Sequence, residues 1–248
     1  EQVARDEARM ERDLTAARRL QSALLPPVPG SEYGLDIAAR VVSSRELCGD
    51  LYDFLPHGTG ELSIALGDVS GKGSAAALYG AAAVGILRSL APQQLAPAKI
   101  LRKLNQIICE RRIEGRFMTM CFLSWHPAEH TLRVANAGQE QPLIFQNGRC
   151  EKVPLAGFPV GMFDDSTYDE LGFVLSPGDI LVLYSDGVTD TQNSGAQFYG
   201  WKRLSEKVRT HANLSSTEIA DYLLADVDEF SGGRHPFDDR TLVVIKVI

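Results

Sequence analysis

The sequence predicts an α+β domain built on mainly antiparallel sheet, and three observations carry that reading. Strand-like and helix-like stretches come in blocks without strict βαβ alternation, the pattern of sheets with helices packed outside. The strand-like runs are short and bounded by turns containing glycine, proline or histidine. The chain has 248 residues and is 44% hydrophobic, enough for one large core plus an appendage and too little for two ample cores. No internal repeat or low-complexity tract interrupts it.

The appendage comes first. Residues 1–25 are rich in Glu, Arg, Ala and Leu, and Val3, Met10, Leu14, Ala17, Leu20 and Leu24 recur in steps of three, four and seven. That spacing puts them on one face of a helix. The stripe is narrow and its flanks are charged, which suits a two-helix coiled coil; a solvated first helix packed locally fits equally well. The chain starts at Glu1 and not at Met, inside this helical pattern, so it is expected to be a piece of a longer protein. Leu25-Pro26-Pro27-Val28-Pro29-Gly30 ends the helix, because proline lacks an amide donor and biases the residue before it away from helical angles. The expected division is therefore a linker helix over residues 1–28, able to pair two copies, and a single large domain over residues 29–248.

Beyond the prolines the period becomes strand-like. Residues 36–42, 51–55 and 62–69 read as an antiparallel meander. Helices follow at 74–90 and 98–112. The first is alanine-rich and contains Gly80 and Gly85; a helical glycine costs about 1 kcal/mol, so close approach of another backbone is expected there. The second places Leu101, Leu104, Ile107 and Ile108 on one face. Further strands are expected at 118–125, 131–135, 143–145, 172–175 and 180–184. Amphipathic helices at 201–210 and 216–230 then precede a last strand at 241–247.

Composition narrows the chemistry. The formal net charge is −7 and basic residues form no long stripe, which argues against nucleic acid as the partner. An acidic chain that handles an anionic substrate needs bound cations to reverse the local sign. Cys48, Cys109, Cys121 and Cys150 form no CxxC pair, and the five histidines form neither HxxxH nor HExxH, so zinc and disulfide readings are weak and buried free thiols are expected. No run approaches the roughly 20 apolar residues that span a bilayer, and the start is too polar for a signal peptide. A cytoplasmic location without a membrane segment is expected.

Four acidic clusters stand out. They are Cys48-Gly49-Asp50-Leu51-Tyr52-Asp53, Gly67-Asp68-Val69-Ser70-Gly71-Lys72-Gly73, Tyr184-Ser185-Asp186-Gly187-Val188-Thr189-Asp190 and Phe237-Asp238-Asp239-Arg240-Thr241. Each sits at a strand end beside a tight-turn residue. Aspartate is depleted within strands, so its presence needs a reason. Turn chemistry explains any one cluster; four on separate elements point to a shared site. Carboxylates without histidine or cysteine company select hard cations such as Mg²⁺ or Mn²⁺. Two such ions about 4 Å apart would activate a water and neutralise phosphoryl oxygens.

The order of these motifs, with Leu20-Gln21-Ser22-Ala23-Leu24-Leu25-Pro26 before them and Leu175-Ser176-Pro177-Gly178-Asp179 ahead of the third, resembles the SpoIIE-type branch of the metal-dependent serine/threonine phosphatases, the PPM superfamily. The likeness covers about residues 18–248. It implies an α-β-β-α sandwich, two sheets with a helix pair on each outer face, and hydrolysis of phosphoserine or phosphothreonine by direct attack of metal-activated water. It implies two divalent cations, Mn²⁺ or Mg²⁺. Asp68 would be the shared ligand with the Val69 carbonyl beside it, Asp50 would serve one ion, and Asp186 and Asp238 the other. Adjacent strand residues point to opposite faces, so only one of Asp238 and Asp239 should touch an ion, and Asp238 is chosen. Asp239, Asp53 and Asp190 are given supporting or structural roles behind the ligands. Lys72 stands where the branch carries Lys or His and is a candidate for phosphate contact or for an indirect role; a solvated loop lysine is the competing reading.

Two departures are visible. The branch's usual Asn-Ala-Gly-His-Asn is Asn136-Ala137-Gly138-Gln139-Glu140 here, and Cys48 replaces the first glycine of Gly-Gly-Asp. Neither removes a proposed ligand, so an active enzyme is expected. The resemblance further implies a phosphorylated anti-sigma-factor antagonist as substrate and an upstream sensor or receiver domain; a homodimer through the first helix is expected from its coiled-coil pattern. The competing functions are a non-catalytic binding module on the same fold and a two-metal phosphodiesterase; the latter class commonly mixes histidine into its ligands, and no histidine falls in a cluster.

Overall fold

In a computed structural model, which describes residues 2–58 and 60–248, the two sheets and their helices follow the expected order. Glu1 and Thr59 lie outside the described residues, so the first helix is seen from Gln2 onward. The chain runs α1 (Gln2–Leu24), β1 (Leu35–Val42), β2 (Asp50–Pro56), β3 (Leu62–Val69), α2 (Ser74–Leu90) and α3 (Pro97–Glu110). It continues through β4 (Met118–His126), β5 (Thr131–Ala137), β6 (Leu143–Gln146), β7 (Arg149–Lys152), β8 (Glu170–Val174) and β9 (Ile180–Tyr184). The last elements are the one-turn α4 (Asp186–Thr189), α5 (Gly200–Thr210), α6 (Ser216–Ser231) and β10 (Arg240–Val247).

One sheet has the order β1-β10-β9-β6-β7 and the other β2-β3-β4-β5-β8, with every ladder antiparallel. Alternation along the strands explains the layering. In β2, Tyr52 and Phe54 face the other sheet, while Leu51 and Leu55 face the helices. The same split gives three apolar layers. Leu66, Leu123, Trp125 and Val243 fill the space between sheets; Leu87, Leu101, Leu104 and Phe122 seal α2 and α3 onto one outer face; Val182, Leu204, Leu223 and Val244 seal α5 and α6 onto the other. Each fully buried leucine contributes about 2 kcal/mol of transfer free energy. This is the α-β-β-α sandwich, and its helix pairs begin and end where the apolar periodicity does.

Three expectations change. The meander of the first three strands does not form. β2 and β3 are a hairpin, but β1 leaves for the other sheet and pairs along its whole length with β10. The seven residues 43–49 are too long for a tight hairpin turn, and Asp239 captures them instead, through the Ser44 and Gly49 amides. A strand at β7 was not expected, because Arg149-Cys150-Glu151-Lys152 is polar; Asn147-Gly148, with φ of 53° and 76°, is nevertheless a strong hairpin turn and joins it to β6. Finally, no backbone crowds the helical glycines as expected. A Cβ on Gly80 would meet the Leu51 side chain at 3.1 Å, and one on Gly85 would meet nothing within 4 Å.

α1 is anchored only near its end. Arg18 donates to the carbonyls of Glu46 and Arg45, and the Gln21 amide bonds both the N–H and the carbonyl of Cys48, at 3.0 and 2.8 Å. Val3, Met10, Leu20 and Leu24 of its stripe are all more than half exposed. Gly85, Leu24 and Leu25 line one cavity of about 220 Å³ together with Asp50 and Leu51. Among the described residues one stretch, Ser74–Gln93, is long and apolar enough to cross a membrane by length and composition. Its alanines account for that; Ala76, Ala83 and Leu87 are buried on the sheet as in any core helix.

Candidate metal centre

Strand register assembles the first half of the site. Asp50 on β2 lies opposite Asp68 on β3, which lies opposite Thr119 on β4. Directly opposed residues present their side chains on one face, here the face turned to the other sheet. The second half comes from that other sheet. β9 ends at Tyr184, and after Ser185 the chain turns at once into α4, so Asp186 opens a helix and does not end a strand. Asp238 and Asp239 precede β10. Gly187 lets these pieces meet: a Cβ there would lie 2.0 Å from the Asp239 carbonyl oxygen, closer than any real contact. Ser185 Oγ donates to that same carbonyl and accepts from the Thr241 amide, and Thr241 Oγ1 donates to Asp50 Oδ2 at 2.6 Å. The two sheets are thereby fastened together at the carboxylates.

The electrostatics are those of crowded like charges. Burial, and then the Asp68 carboxylate, push the pKa of Asp50 well above the ordinary carboxylate value, against hydrogen bonds from Thr241 and Ser185 that lower it. Burial, followed by Asp186, Asp238 and Asp239, raises Asp68 to about 7. Asp186 opens toward solvent at the mouth, yet desolvation by its walls and then Asp238 and Asp190 raise its pKa too. Asp190, raised by desolvation and then by Glu140 and Asp238, sits one turn further along. A Cβ on Gly49 would stand 3.4 Å from both Asp68 Oδ1 and the Val69 carbonyl oxygen, so those two oxygens point into the same small space.

The remaining expected residues are distributed as follows. Lys72 is not a free loop lysine: its ammonium lies 2.8 Å from Asp238 Oδ2, donates to the Phe237 carbonyl at 2.7 Å and stands over the Phe237 ring. Asp239 turns away from Asp238 and accepts from Ser44 N, Ser44 Oγ and Gly49 N, holding the loop that delivers Asp50. Asp53 points to the opposite side of β2, fully buried, where it accepts two hydrogen bonds from Arg88 of α2. Burial raises the Cys48 thiol, with Asp50 and Asp239 adding to it, so it stays protonated and is no nucleophile. A cleft of about 400 Å³ opens beside Asp186, Asp190 and Asp238 and carries Phe198, Arg234 and Phe237 on its walls.

Fitness for cations follows from the donor chemistry. The side chains are oxygen donors only, their charges raise one another's pKa values, and a cation would relieve that repulsion. Among the described residues no three histidine, cysteine, aspartate or glutamate side chains converge closely enough to hold one ion as they stand. As it stands, the Asp238 carboxylate is paired with Lys72 at 2.8 Å. Two contributors escaped the sequence reading. Thr241 ends the fourth acidic cluster but has no role assigned from sequence, and Thr119 has no motif; Thr119 is identified by its place across the ladder from Asp68, and Thr241 by its hydrogen bond to Asp50 from the facing sheet.

Comparison with known proteins shows the family to which the chain is similar. Residues 58–248 match the family model described as Stage II sporulation protein E (SpoIIE). The phosphoserine phosphatase RsbU of Bacillus subtilis is 27% identical over 239 residues, covering 94% of this chain and 70% of RsbU. Other curated relatives are longer, and the chain spans 41% of one and 58% of another. Among solved structures, the SiaA-PP2C domain of Pseudomonas aeruginosa superposes with a TM-score of 0.83 at 21% identity, over 97% of this chain and 98% of that one. RsbX in complex with magnesium superposes with a TM-score of 0.64 at 16% identity, over 86% of this chain and 96% of that one.

Proposed function

The chain belongs to the SpoIIE family, and from that membership we propose the following chemistry: it is a metal-dependent protein serine phosphatase of bacterial signalling, of the PPM type. The observation that carries the reading is the opposition of Asp50 and Asp68 across one hairpin, at the end of the sandwich where the other sheet delivers Asp186 and Asp238. The residues that would hold two divalent cations are Asp68 as the shared ligand, the Val69 carbonyl beside it and Asp50 for one ion, and Asp186 and Asp238 for the other. Bound Mg²⁺ or Mn²⁺ supplies Lewis acidity and lowers the pKa of a water. The magnesium complex of RsbX, a structural neighbour, supports the ion type.

The chain's own residues do the rest. Asp239 and Thr241 hold Asp50 in place through the hydrogen bonds above, and Asp190 and Glu140 keep the site's rim negative. Lys72, once it releases Asp238, is a cation available to a phosphoryl oxygen. The cleft with Phe198, Arg234 and Phe237 takes the protein segment flanking the phosphoserine. The substrate is a phosphorylated anti-sigma-factor antagonist, and the setting is cytoplasmic. Incubation with Mn²⁺ should release p-nitrophenol from the phosphate monoester faster than from the bis-p-nitrophenyl diester. Faster cleavage of the diester would move the chain to the phosphodiesterases. No turnover with any divalent cation would leave a binding module.

Residues 1–28 are a linker and residues 29–248 the phosphatase domain. The exposed stripe of Val3, Met10, Leu20 and Leu24 pairs two copies and carries a signal from an upstream sensor or receiver domain. The Gln21–Cys48 bonds and the shared cavity give that signal a route to Asp50 and α2. A truncation beginning at Pro29 is expected to be monomeric in analytical ultracentrifugation; a truncation that stays dimeric refutes the pairing.

A further inference from the structure

Gln139, at the edge of the carboxylates, has a side chain that is buried and half used. It is 8% exposed, and its Nε2 has no hydrogen-bond partner and no access to solvent. The rest of the residue is held firmly. Its backbone N–H donates to Asn136 Oδ1 at 2.8 Å, its carbonyl accepts from Asn136 Nδ2 at 2.9 Å, and its Oε1 accepts from Thr119 Oγ1. Thr119 is the third member of the row Asp50, Asp68, Thr119, and its hydroxyl is 3.4 Å from the Asp68 carbonyl. The next residue, Glu140, lies near enough to Asp186 and Asp190 to raise both. The amide is thus fixed at the edge of the carboxylate site, between neighbours of Asp68 and neighbours of Asp186.

A buried amide N–H₂ without a partner is destabilising, and folded chains retain few of them. Its Oε1 already accepts from Thr119, so the donor end of the amide is the one left over, beside the row that carries Asp68. We propose that Gln139 is a positioning residue of the cation centre, a neutral donor that gains its partner in the hydrated ligand cluster when a divalent cation is bound. Groups that orient ligands from behind in this way commonly change metal affinity by 10–100-fold. A glutamine performs the task without titrating, so its contribution stays constant while the carboxylates around it change charge with pH. The inference rests on the metal-site reading above.

The test is calorimetric titration of the purified chain with Mn²⁺ alone, in wild type, Gln139→Met, Gln139→His, Asp68→Asn and Asp186→Asn. Methionine keeps the length and removes the donor, together with the acceptor that Thr119 uses; histidine restores a ring N–H. Gln139→Met should bind Mn²⁺ about tenfold more weakly, and Gln139→His should recover most of that loss. Wild-type affinity in Gln139→Met overturns the proposal. If the Met variant does not fold, the side-chain amide resonances of Gln139 in the ¹⁵N-labelled wild type decide: a shift on adding Mg²⁺ supports the proposal and no shift overturns it. The aspartate variants separate the two layers of the argument. If they lose Mn²⁺ binding while Gln139→Met keeps it, only this inference fails; if they bind Mn²⁺ as wild type does, the site reading fails and this inference falls with it.

Discussion

Asp68→Asn is expected to lower Mn²⁺-dependent hydrolysis of p-nitrophenyl phosphate by at least about 100-fold, the scale on which one preorganised charge-stabilising group is lost. The substitution is nearly isosteric and removes charge from the place where like charges are densest. Asp68 faces Asp50 across the hairpin and feels Asp186, Asp238 and Asp239 from the other sheet. With that charge gone, Asp50 loses its strongest like-charged neighbour, so the thermal midpoint of the variant in EDTA should match or exceed wild type. Activity and stability therefore move in opposite directions, the mark of a functional carboxylate and not of a structural one. An Asn variant that keeps wild-type activity, or that loses activity by unfolding, removes Asp68 from its role as shared ligand.

Without divalent cation the chain is expected to be less stable at pH 8 than at pH 5.5, the reverse of what ordinary carboxylate ion pairs would cause. The sign follows from the raised groups. The folded pKa of Asp68 is about 7 against an ordinary 3.8, and Asp50 and Asp186 are raised as well. Between these values the folded chain binds more protons than the unfolded one, so stability is lost as pH rises through the window from about 4 to 7. Cation and protons compete for the same oxygens, so Mg²⁺ affinity should climb across that window. The Mg²⁺-induced rise in Tm, measured by calorimetry at constant ionic strength, should be larger at pH 8 than at pH 5.5. A shift independent of pH would show that these carboxylates do not hold the ion.

Local chemistry was readable from the chain. The apolar period placed Leu62–Val69 and Ile180–Tyr184 as strands and Ser74–Leu90 as a helix with the ends they have in the fold. Those signals are local: side-chain alternation, proline and glycine act within a turn or two. The Asn147-Gly148 hairpin belonged to the same class and was overlooked because the strand after it is polar. The aspartates were legible for a related reason, since an acidic residue beside a turn at the end of an apolar strand contradicts its surroundings.

What the amino-acid sequence determined alone is thus the kind and order of most elements, the four acidic turns and the hard-cation chemistry that an all-oxygen donor set implies. Tertiary structure alone decided that β1 closes on β10, that Asp50, Asp68 and Thr119 form one row, that Lys72 grips Asp238, and that Gln139 is left with an idle donor. Each of these depends on contacts between residues from 18 to more than 200 positions apart, or on the absence of one. Register and burial between distant segments are set by the packing of the whole core, and no short-range pattern records them.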